Sequence, residues 1–387
     1  MYILPDFVRN IIKTLEENGH EAYIVGGSVR DLILGKTPAD FDVTTSALPD
    51  EICAIFDKTI KTGIKHGTVT VVSDNNNVEV TTFRNDGNYN NHRSPEQVSF
   101  VSDIKFDLSR RDFTINAMAY NEKSGLLDLF GGKSDLADGV IRAVGNADER
   151  FCEDALRILR AVRFASRFNF KIEKSTIDGI IKNIHLLKFI SAERIFSELI
   201  QILCSDYPEK IDLICRSGGF EFLGIKSIKT PELIGKVNKS RELRFYLFSK
   251  LCDVSPLDLC KLLKTDNELK KYCENLLFAE EVSLDPDKTD LKLMLSRLSK
   301  SDIADYLNYL EIYKNTNTQN AQKELNEIFK NNEAYLIKHL AINGNSLIEL
   351  GYKNNDIGVI LEKLLLAVIK DNSLNTKEKL LELIGNM

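Results

Sequence analysis

The sequence predicts an α+β protein, a mixed α/β head followed by an all-helical remainder. Two patterns carry this. Short runs rich in Val, Thr and Phe recur through the first third, bounded by turn-forming residues. Beyond about residue 145, apolar residues recur at helical spacing instead. The composition agrees: 387 residues, 43% hydrophobic and 28% charged, suffice for roughly two to four compact units of a globular protein.

The elements follow in order. Residues 1–17 set Asp6, Arg9, Lys13 and Glu16 among apolar positions, which predicts an amphipathic helix and not a signal peptide. Strands are expected at 21–25, 41–45, 68–73, 78–83 and 97–101, with turns at 61–67 and 74–77. Helical periodicity then covers 148–167, 193–204 and 243–251. The polar stretch 315–332 either joins helical units or forms a solvated helix, and 343–386 is apolar-periodic again. No repeat of fixed period is evident. No apolar run approaches the ~20 residues of a membrane span. Seven cysteines without a Cys-x-x-Cys pair argue against zinc and a disulfide framework, so a reducing cytoplasm fits. A net charge of −6 argues against indiscriminate coating of nucleic acid, but leaves room for a local basic groove.

Two stretches carry chemistry. In the first, Tyr23-Ile24-Val25 reads as a strand and Val29 onward as a helix start, with Gly26-Gly27-Ser28 between them. Glycines let backbone approach a ligand, and free amides at a helix start favour phosphate. Arg30 can add a charge-assisted contact. Alone, such a turn is commonplace; the downstream Asp40-Phe41-Asp42 gives it meaning. In a strand, residues i and i+2 share a face, so Asp40 and Asp42 would project together while Phe41 and Val43 face the core. Paired carboxylates repel unless a cation or proton separates them, and magnesium suits such a pair with substrate phosphates. The plain alternative is a solvated Asp-x-Asp at a strand end. Glu79 is either a third carboxylate from a neighbouring strand or an outward-facing strand residue.

In the second stretch, a helical wheel over 150–167 groups Phe151, Ala155, Ile158, Leu159, Val162 and Ala165 on one side. Glu153, Asp154, Arg157, Arg160 and Arg163 take the other half, and Leu156 and Phe164 break the pattern. An exposed face laced with ion pairs explains one acid–base pair easily, but three arginines at three-residue intervals poorly. A carboxylate accepts hydrogen bonds and a guanidinium donates them. An Asp154/Arg157 pair would therefore accept the amine and adjacent ring nitrogen of C or A, and reject U and G. Glu153 would hold the Arg157 fork, while Arg160 and Arg163 face a triphosphate or the base edge.

These blocks resemble bacterial class II tRNA nucleotidyltransferases, the CCA-adding enzymes, which share a superfamily with bacterial poly(A) polymerases. The resemblance rests on residues 24–31, Asp40-Phe41-Asp42, 79–84, Arg110-Arg111-Asp112-Phe113 through Ala117, Glu153-Asp154-Ala155-Leu156-Arg157, Glu193-Arg194 with Glu198, and 341–344. It implies a polymerase beta-like nucleotidyltransferase head over 1–145, a helical neck with the nucleotide-selecting helix over 146–205, a helical body over 206–310 and a tRNA-binding helical tail over 311–387. It further implies that Asp40 and Asp42 are catalytic and ligate Mg2+, and that Gly27, Arg30 and Arg111 contact the nucleotide. Asp112 would sense the ribose hydroxyl, and Asp154, Arg157, Arg160 and Arg163 would form the nucleotide pocket. The partners implied are tRNA, CTP and ATP, without a membrane, in a homodimer. The activity implied is metal-dependent, template-independent addition of CCA with release of pyrophosphate.

A loop after the Thr-Phe-Arg block, needed in this family for the final A, appears full-length over 85–109, with Asp86-Gly87, Tyr89 and Arg93; its 85–96 part is expected to move. An A-only or poly(A)-adding enzyme is the same-chemistry alternative. A non-catalytic tRNA-binding protein and a small-molecule nucleotidyltransferase are the others. No general base is identified, and His66 reads as a structural loop histidine. The basic stretch Lys226, Lys229, Lys236, Lys239, Arg241 and Arg244 is either an RNA contact or a solvated helical face.

Overall fold

The structure is a computed structural model that describes the chain except Met1, residues 87–88, 91–93 and 96–97, and Met387. The loop features expected at Gly87 and Arg93 therefore lie outside the described residues. The chain forms two compact units, Met1–Pro231 and Glu232–Met387. Residues 206–310, expected as one body, contribute to both. Among the described residues, no helix is long and apolar enough to cross a membrane.

The first unit is built on a mixed sheet. Its strands are β1 (Ala22–Val25), β2 (Asp42–Thr45), β3 (Thr59–Gly63), β4 (Thr68–Ser73) and β5 (Asn76–Thr82). Shorter pieces follow: β6 (Arg84–Asp86), β7 (Tyr89–Asn90), β8 (Ser94–Pro95) and β9 (Val98–Phe100), then β10 (Met118–Asn121) and β11 (Gly125–Asp128). The seven-stranded order is β11-β10-β1-β2-β5-β4-β3. Within this sheet, among the described residues, β2 and β5 are the parallel pair; β1 is antiparallel to both β2 and β10. One register matters most. Val25 pairs with Asp42, and Asp42 pairs with Glu79, so the end of β1, the start of β2 and the middle of β5 form a row. β6 and β9 pair as an antiparallel stem, Arg84 opposite Phe100.

The structure departs from the sequence expectations at three places in the sheet. Turn-forming residues predict a turn over 61–67, but 59–63 form β3, whose pairing with β4 shifts register between Ile60 and Gly63. The irregular pairing hides the period-2 pattern. Strands β10 and β11 have no sequence counterpart; β10 is buried at every position, so it shows no alternation. The strand predicted at 41–45 begins only at Asp42, leaving Asp40 outside it. Phe41 is half-buried, its ring 6.1 Å from Phe7 at 85°.

The helices of this unit are α1 (Asp6–Glu17), α2 (Gly27–Ile33), α3 (Pro49–Ile55), α4 (Ile104–Ser109), α5 (Gly132–Asp138), α6 (Ala147–Glu153), α7 (Leu156–Phe168), α8 (Lys174–Asn183), α9 (Ala192–Leu203) and α10 (Asp212–Arg216). As expected, α1 is amphipathic and buries Val8, Ile11, Ile12 and Leu15. The continuous helix expected over 148–167 is instead broken. Asp154 adopts φ −140°, ψ 102°, and its carboxylate accepts the Leu156 N–H at 3.0 Å. An Asp side chain competes with helical backbone bonding in just this way, restarting the helix beyond it. The apolar side of the wheel holds up, with Phe151, Ala155, Ile158, Leu159, Val162 and Ala165 all buried.

The second unit is all-helical: α11 (Arg241–Leu251), α12 (Pro256–Leu263), α13 (Asn267–Val282), α14 (Lys288–Leu295), α15 (Lys300–Tyr313), α16 (Gln319–Lys330), α17 (Gly344–Glu349), α18 (Asn354–Lys370) and α19 (Lys377–Gly385). The polar stretch near 315–332 forms α16, a solvated helix that buries only Ala321 and Ile328. Leu347, Leu364, Val368 and Leu380 anchor the C-terminal core.

Candidate active site

The β1–α2 turn follows directly from the row of paired strands. Gly26 ends β1 with φ +71°, which favours glycine, and α2 starts at Gly27. A Cβ at Gly26 would lie 3.0 Å from the Arg111 Nη1 atom. The glycine therefore serves both the turn and the close approach of a guanidinium. Since Val25 pairs with Asp42, the turn and the first β2 residue are adjacent.

A cleft of about 430 Å³ opens there. Nine of the ten residues singled out from the sequence line it: Gly27, Arg30, Asp42, Arg111, Asp112, Asp154, Arg157, Arg160 and Arg163. Asp40 does not line it; the residue lies just before β2. The lining holds eight arginines against Asp42, Asp112 and Asp154. Such an excess of cations suits a polyanion.

Carboxylates hold these arginines in place. Asp107, fully buried, accepts from Arg110 at 2.6 and 3.1 Å and from Arg111 at 3.1 Å. Burial works to raise the Asp107 carboxyl, but the two guanidinium charges hold it below the usual carboxylate range. Arg111 Nε is buried and has no hydrogen-bond partner among the described residues, an unmet donor beside the glycine turn. Arg30 donates to Asp31 at 2.9 Å and to the Asn116 side-chain oxygen at 2.8 Å. Arg163 donates to Glu198 at 2.6 Å.

Asp112 lines the cleft, and its carboxylate is engaged by neighbouring donors. Its carboxylate accepts from Phe113 N at 2.8 Å, Asn116 Nδ2 at 3.0 Å, and Arg160 Nε at 2.7 Å, with Arg160 Nη2 at 2.6 Å. Three hydrogen bonds and a close ion-pair contact thus surround the carboxylate. Burial tends to raise the Asp112 carboxyl, yet Arg160 and the Asn116 hydrogen bond bring it down to about 2.

The helix break places Asp154 just before α7 and Arg157 in its first turn. Arg157 donates to Glu153 at 2.6 Å, to the Arg150 carbonyl at 3.2 Å and to the Arg110 carbonyl at 3.0 Å. A guanidinium carries about five N–H donors, so about two remain for a base edge. Glu153 holds the fork, as the spacing predicts. Asp154 and Arg157 are not neighbours on one helix; they flank the start of α7. Asp154 also accepts from Arg194 of α9 at 2.8 and 3.4 Å.

Arg194, Glu198, Arg110 and Asn116 belong to the blocks that carry the family resemblance, which assigns them no role of their own. Phe164 and Arg167 also line the cleft, beyond the residues singled out for it. The signal for Phe164 is its break in the helical wheel. His66 lies outside the cleft lining and is exposed, and its carbonyl accepts from Arg84.

For a metal, Asp42 is the group that faces the cleft. Partial dehydration there, then the charges of Asp40 and Glu79, push its carboxyl above its ordinary value against the pull of Arg111. Glu79 therefore contributes charge at this position, although it is exposed. Among the described residues, no three metal-ligating side chains converge. That donor set suits a hard cation held by one or two carboxylates together with substrate phosphates.

Comparison with known proteins gives the family. Residues 22–142 match the Poly A polymerase head domain, 169–226 the probable RNA and SrmB-binding site of polymerase A, and 238–384 the putative tRNA nucleotidyltransferase domain 2. The CCA-adding enzyme of Ligilactobacillus salivarius (strain UCC118) is 38% identical over 395 residues, covering 98% of this chain and 96% of that one. The crystal structure of the Bacillus stearothermophilus CCA-adding enzyme in complex with CTP superposes with a TM-score of 0.83 at 30% identity, covering 99% of each chain. The Thermotoga maritima CCA-adding enzyme complexed with tRNA gives a TM-score of 0.71 at 25% identity, over 100% of this chain and 96% of that one. With similarity running from end to end, and a nucleotide-sized cationic cleft on the sheet, the chain belongs to the CCA-adding enzymes, a family of tRNA nucleotidyltransferases.

Proposed function

We propose that this protein adds C, C and A in turn to the 3′ end of tRNA, taking CTP and ATP without a nucleic-acid template and releasing pyrophosphate. The observation that carries the reading is one cleft joining a glycine turn, Asp42, a set of anchored arginines and an Asp154/Arg157 pair. In this reading the triphosphate lies among Arg30, Arg111, Arg160 and Arg163, with the N-terminal amides of α2 beside it. Asp154 accepts from the amine of C or A, and Arg157 donates to the neighbouring ring nitrogen. U and G present an oxygen to Asp154 and are refused, because each mismatched group stays desolvated and unpaired at a cost of roughly 1–3 kcal/mol.

Asp42, with Asp40, would hold magnesium; burial first, then the charges of Asp40 and Glu79, raise the Asp42 carboxyl, and a divalent cation would offset both. When bound, the metal would act as a Lewis acid on the phosphates and on the attacking 3′-hydroxyl. The protein's own groups orient the reactants and neutralise charge as the 3′-oxygen attacks the α-phosphorus. The direct test is incubation with tRNA lacking its 3′ end and each labelled nucleotide. Incorporation of C followed by A, and nothing further, is the expected result. Incorporation of A alone, or a long A tail, would replace this reading with the same-chemistry alternative, and no incorporation would remove it.

A further inference from the structure

The cleft packs several like charges into a small volume, and the residue that interrupts the helical wheel sits in their midst. Phe164 and Phe168, one turn apart on α7, stack with ring planes within 6° and centroids 6.3 Å apart. Guanidinium carbons lie over the Phe164 ring at 4.3 Å (Arg163), 5.3 Å (Arg30) and 5.4 Å (Arg160). Over Phe168 lie Arg30 at 5.0 Å, Arg167 at 5.2 Å and Lys36 at 5.4 Å. Arg30 thus caps both rings. On its edge, Phe164 meets Phe113 at 5.9 Å and 80°, and the Phe113 N–H donates to Asp112, the anchor of Arg160.

We propose that Phe164 and Phe168 are positioning residues for the triphosphate, a two-ring post that holds Arg30, Arg160, Arg163 and Arg167 apart and turned toward the ligand. The inference rests on the nucleotide reading of the cleft. An aromatic face carries partial negative charge and attracts a cation without consuming its N–H donors. A carboxylate at the same place would neutralise the arginines and compete with phosphate. An aliphatic side chain would fill the space and leave the guanidinium groups held by their polar partners alone. The rings thus add attraction without consuming donors beyond those already given to Asp31, Asn116, Asp112 and Glu198. They touch phosphate-facing arginines, while Asp154 and Arg157 are held by Glu153, Arg194 and backbone. Ring loss should therefore weaken the grip on phosphate and leave the choice of base alone.

The test measures inorganic pyrophosphate affinity, KM for CTP and ATP, and the CTP-over-UTP preference in Phe164→Leu, Phe168→Leu and Phe168→Trp. Phe168 is half-buried and outside the cleft lining, so its variants should fold even if Phe164→Leu does not. The expected result for each Leu variant that folds is about a tenfold loss of pyrophosphate affinity and an equal rise in both KM values. The CTP-over-UTP ratio should be unchanged, and Phe168→Trp should restore affinity. Unchanged pyrophosphate affinity in folded Phe168→Leu overturns the proposal. So does a parallel loss of affinity and base preference, which marks plain structural damage. Arg160→Ala and Arg163→Ala separate the two levels. If they also leave pyrophosphate binding intact, the nucleotide reading of the cleft itself fails; if they weaken it and the ring variants do not, only the post fails.

Discussion

Asp154 sits where the helix breaks, and its two oxygens have separate obligations. One accepts the Leu156 N–H that starts α7; both face Arg194. Arg194 orients the carboxylate, so the pair to test is Asp154 with its holder. Asp154→Asn places a donor where only acceptors stood, so UTP and GTP should gain entry. Discrimination against them should fall by about 10- to 100-fold, the worth of one or two hydrogen bonds, while C and A addition weakens but persists. Arg194→Ala should shift the same ratio in the same direction by a smaller factor, read from kcat/KM for the four nucleotides. If neither ratio moves, Asp154 does not read the base. Asp112 offers a test of pH dependence. Its carboxyl is held at about 2, below its ordinary 3.8, so its contribution to stability is present above about pH 4 and is lost as pH falls toward 2. Asp112→Asn should be less stable than the parent by about 2 kcal/mol at pH 7, with the gap closing in acid, measured by denaturant unfolding. These residues are legible in the sequence because motif spacing reveals neighbours along the chain. The partnership of Arg194 with Asp154, and the place of Asp107 beneath two arginines, are not, because only folding brings distant residues together.

Among the elements, the broken helix shows most clearly where periodicity stops informing. Apolar spacing runs through both α6 and α7, so the pattern predicts one helix. The break is a local contest in which an Asp side chain takes a backbone N–H, and a hydropathy period does not register it. β10 escapes prediction for the opposite reason: burial on both faces erases alternation. The basic stretch at 226–244 also resolves into parts. Arg241 donates to Asp266 at 2.7 and 2.9 Å, and Arg244 is buried, whereas Lys226, Lys229, Lys236 and Lys239 are exposed. The six candidates for phosphate binding therefore narrow to four. Neutralising those four lysines should weaken tRNA binding and reduce the slope of log affinity against log salt by roughly 0.7–0.9 for each phosphate no longer neutralised. An unchanged slope would return the stretch to the solvated reading.

Across the whole molecule, a chain of net charge −6 concentrates eight arginines in one cleft. Bulk charge is thus a poor guide and local spacing a good one. The order of head and helical remainder is readable from the change of period near residue 145, because strands and helices repeat apolar residues differently. The division after Pro231 is not, since helices continue on both sides of it. The molecule-wide prediction concerns metal. Asp42→Ala should abolish C and A addition alike while the thermal midpoint stays within a few degrees of the parent, because an exposed first strand residue contributes little packing. Normal turnover at ordinary magnesium would remove the carboxylates from the chemistry.

The row Val25–Asp42–Glu79 also determines which length changes the gene can tolerate. A residue inserted near Gly35–Lys36 lengthens a connection and leaves strand pairing alone. A residue inserted at Val43 exchanges the two faces of β2 beyond that point, turning Thr44 and Thr45 out of their present pairing with Thr81 and Thr82. Survival of single-codon insertions scanned across this region should therefore drop sharply where β2 begins, marking the edge of the sheet in a purely genetic experiment.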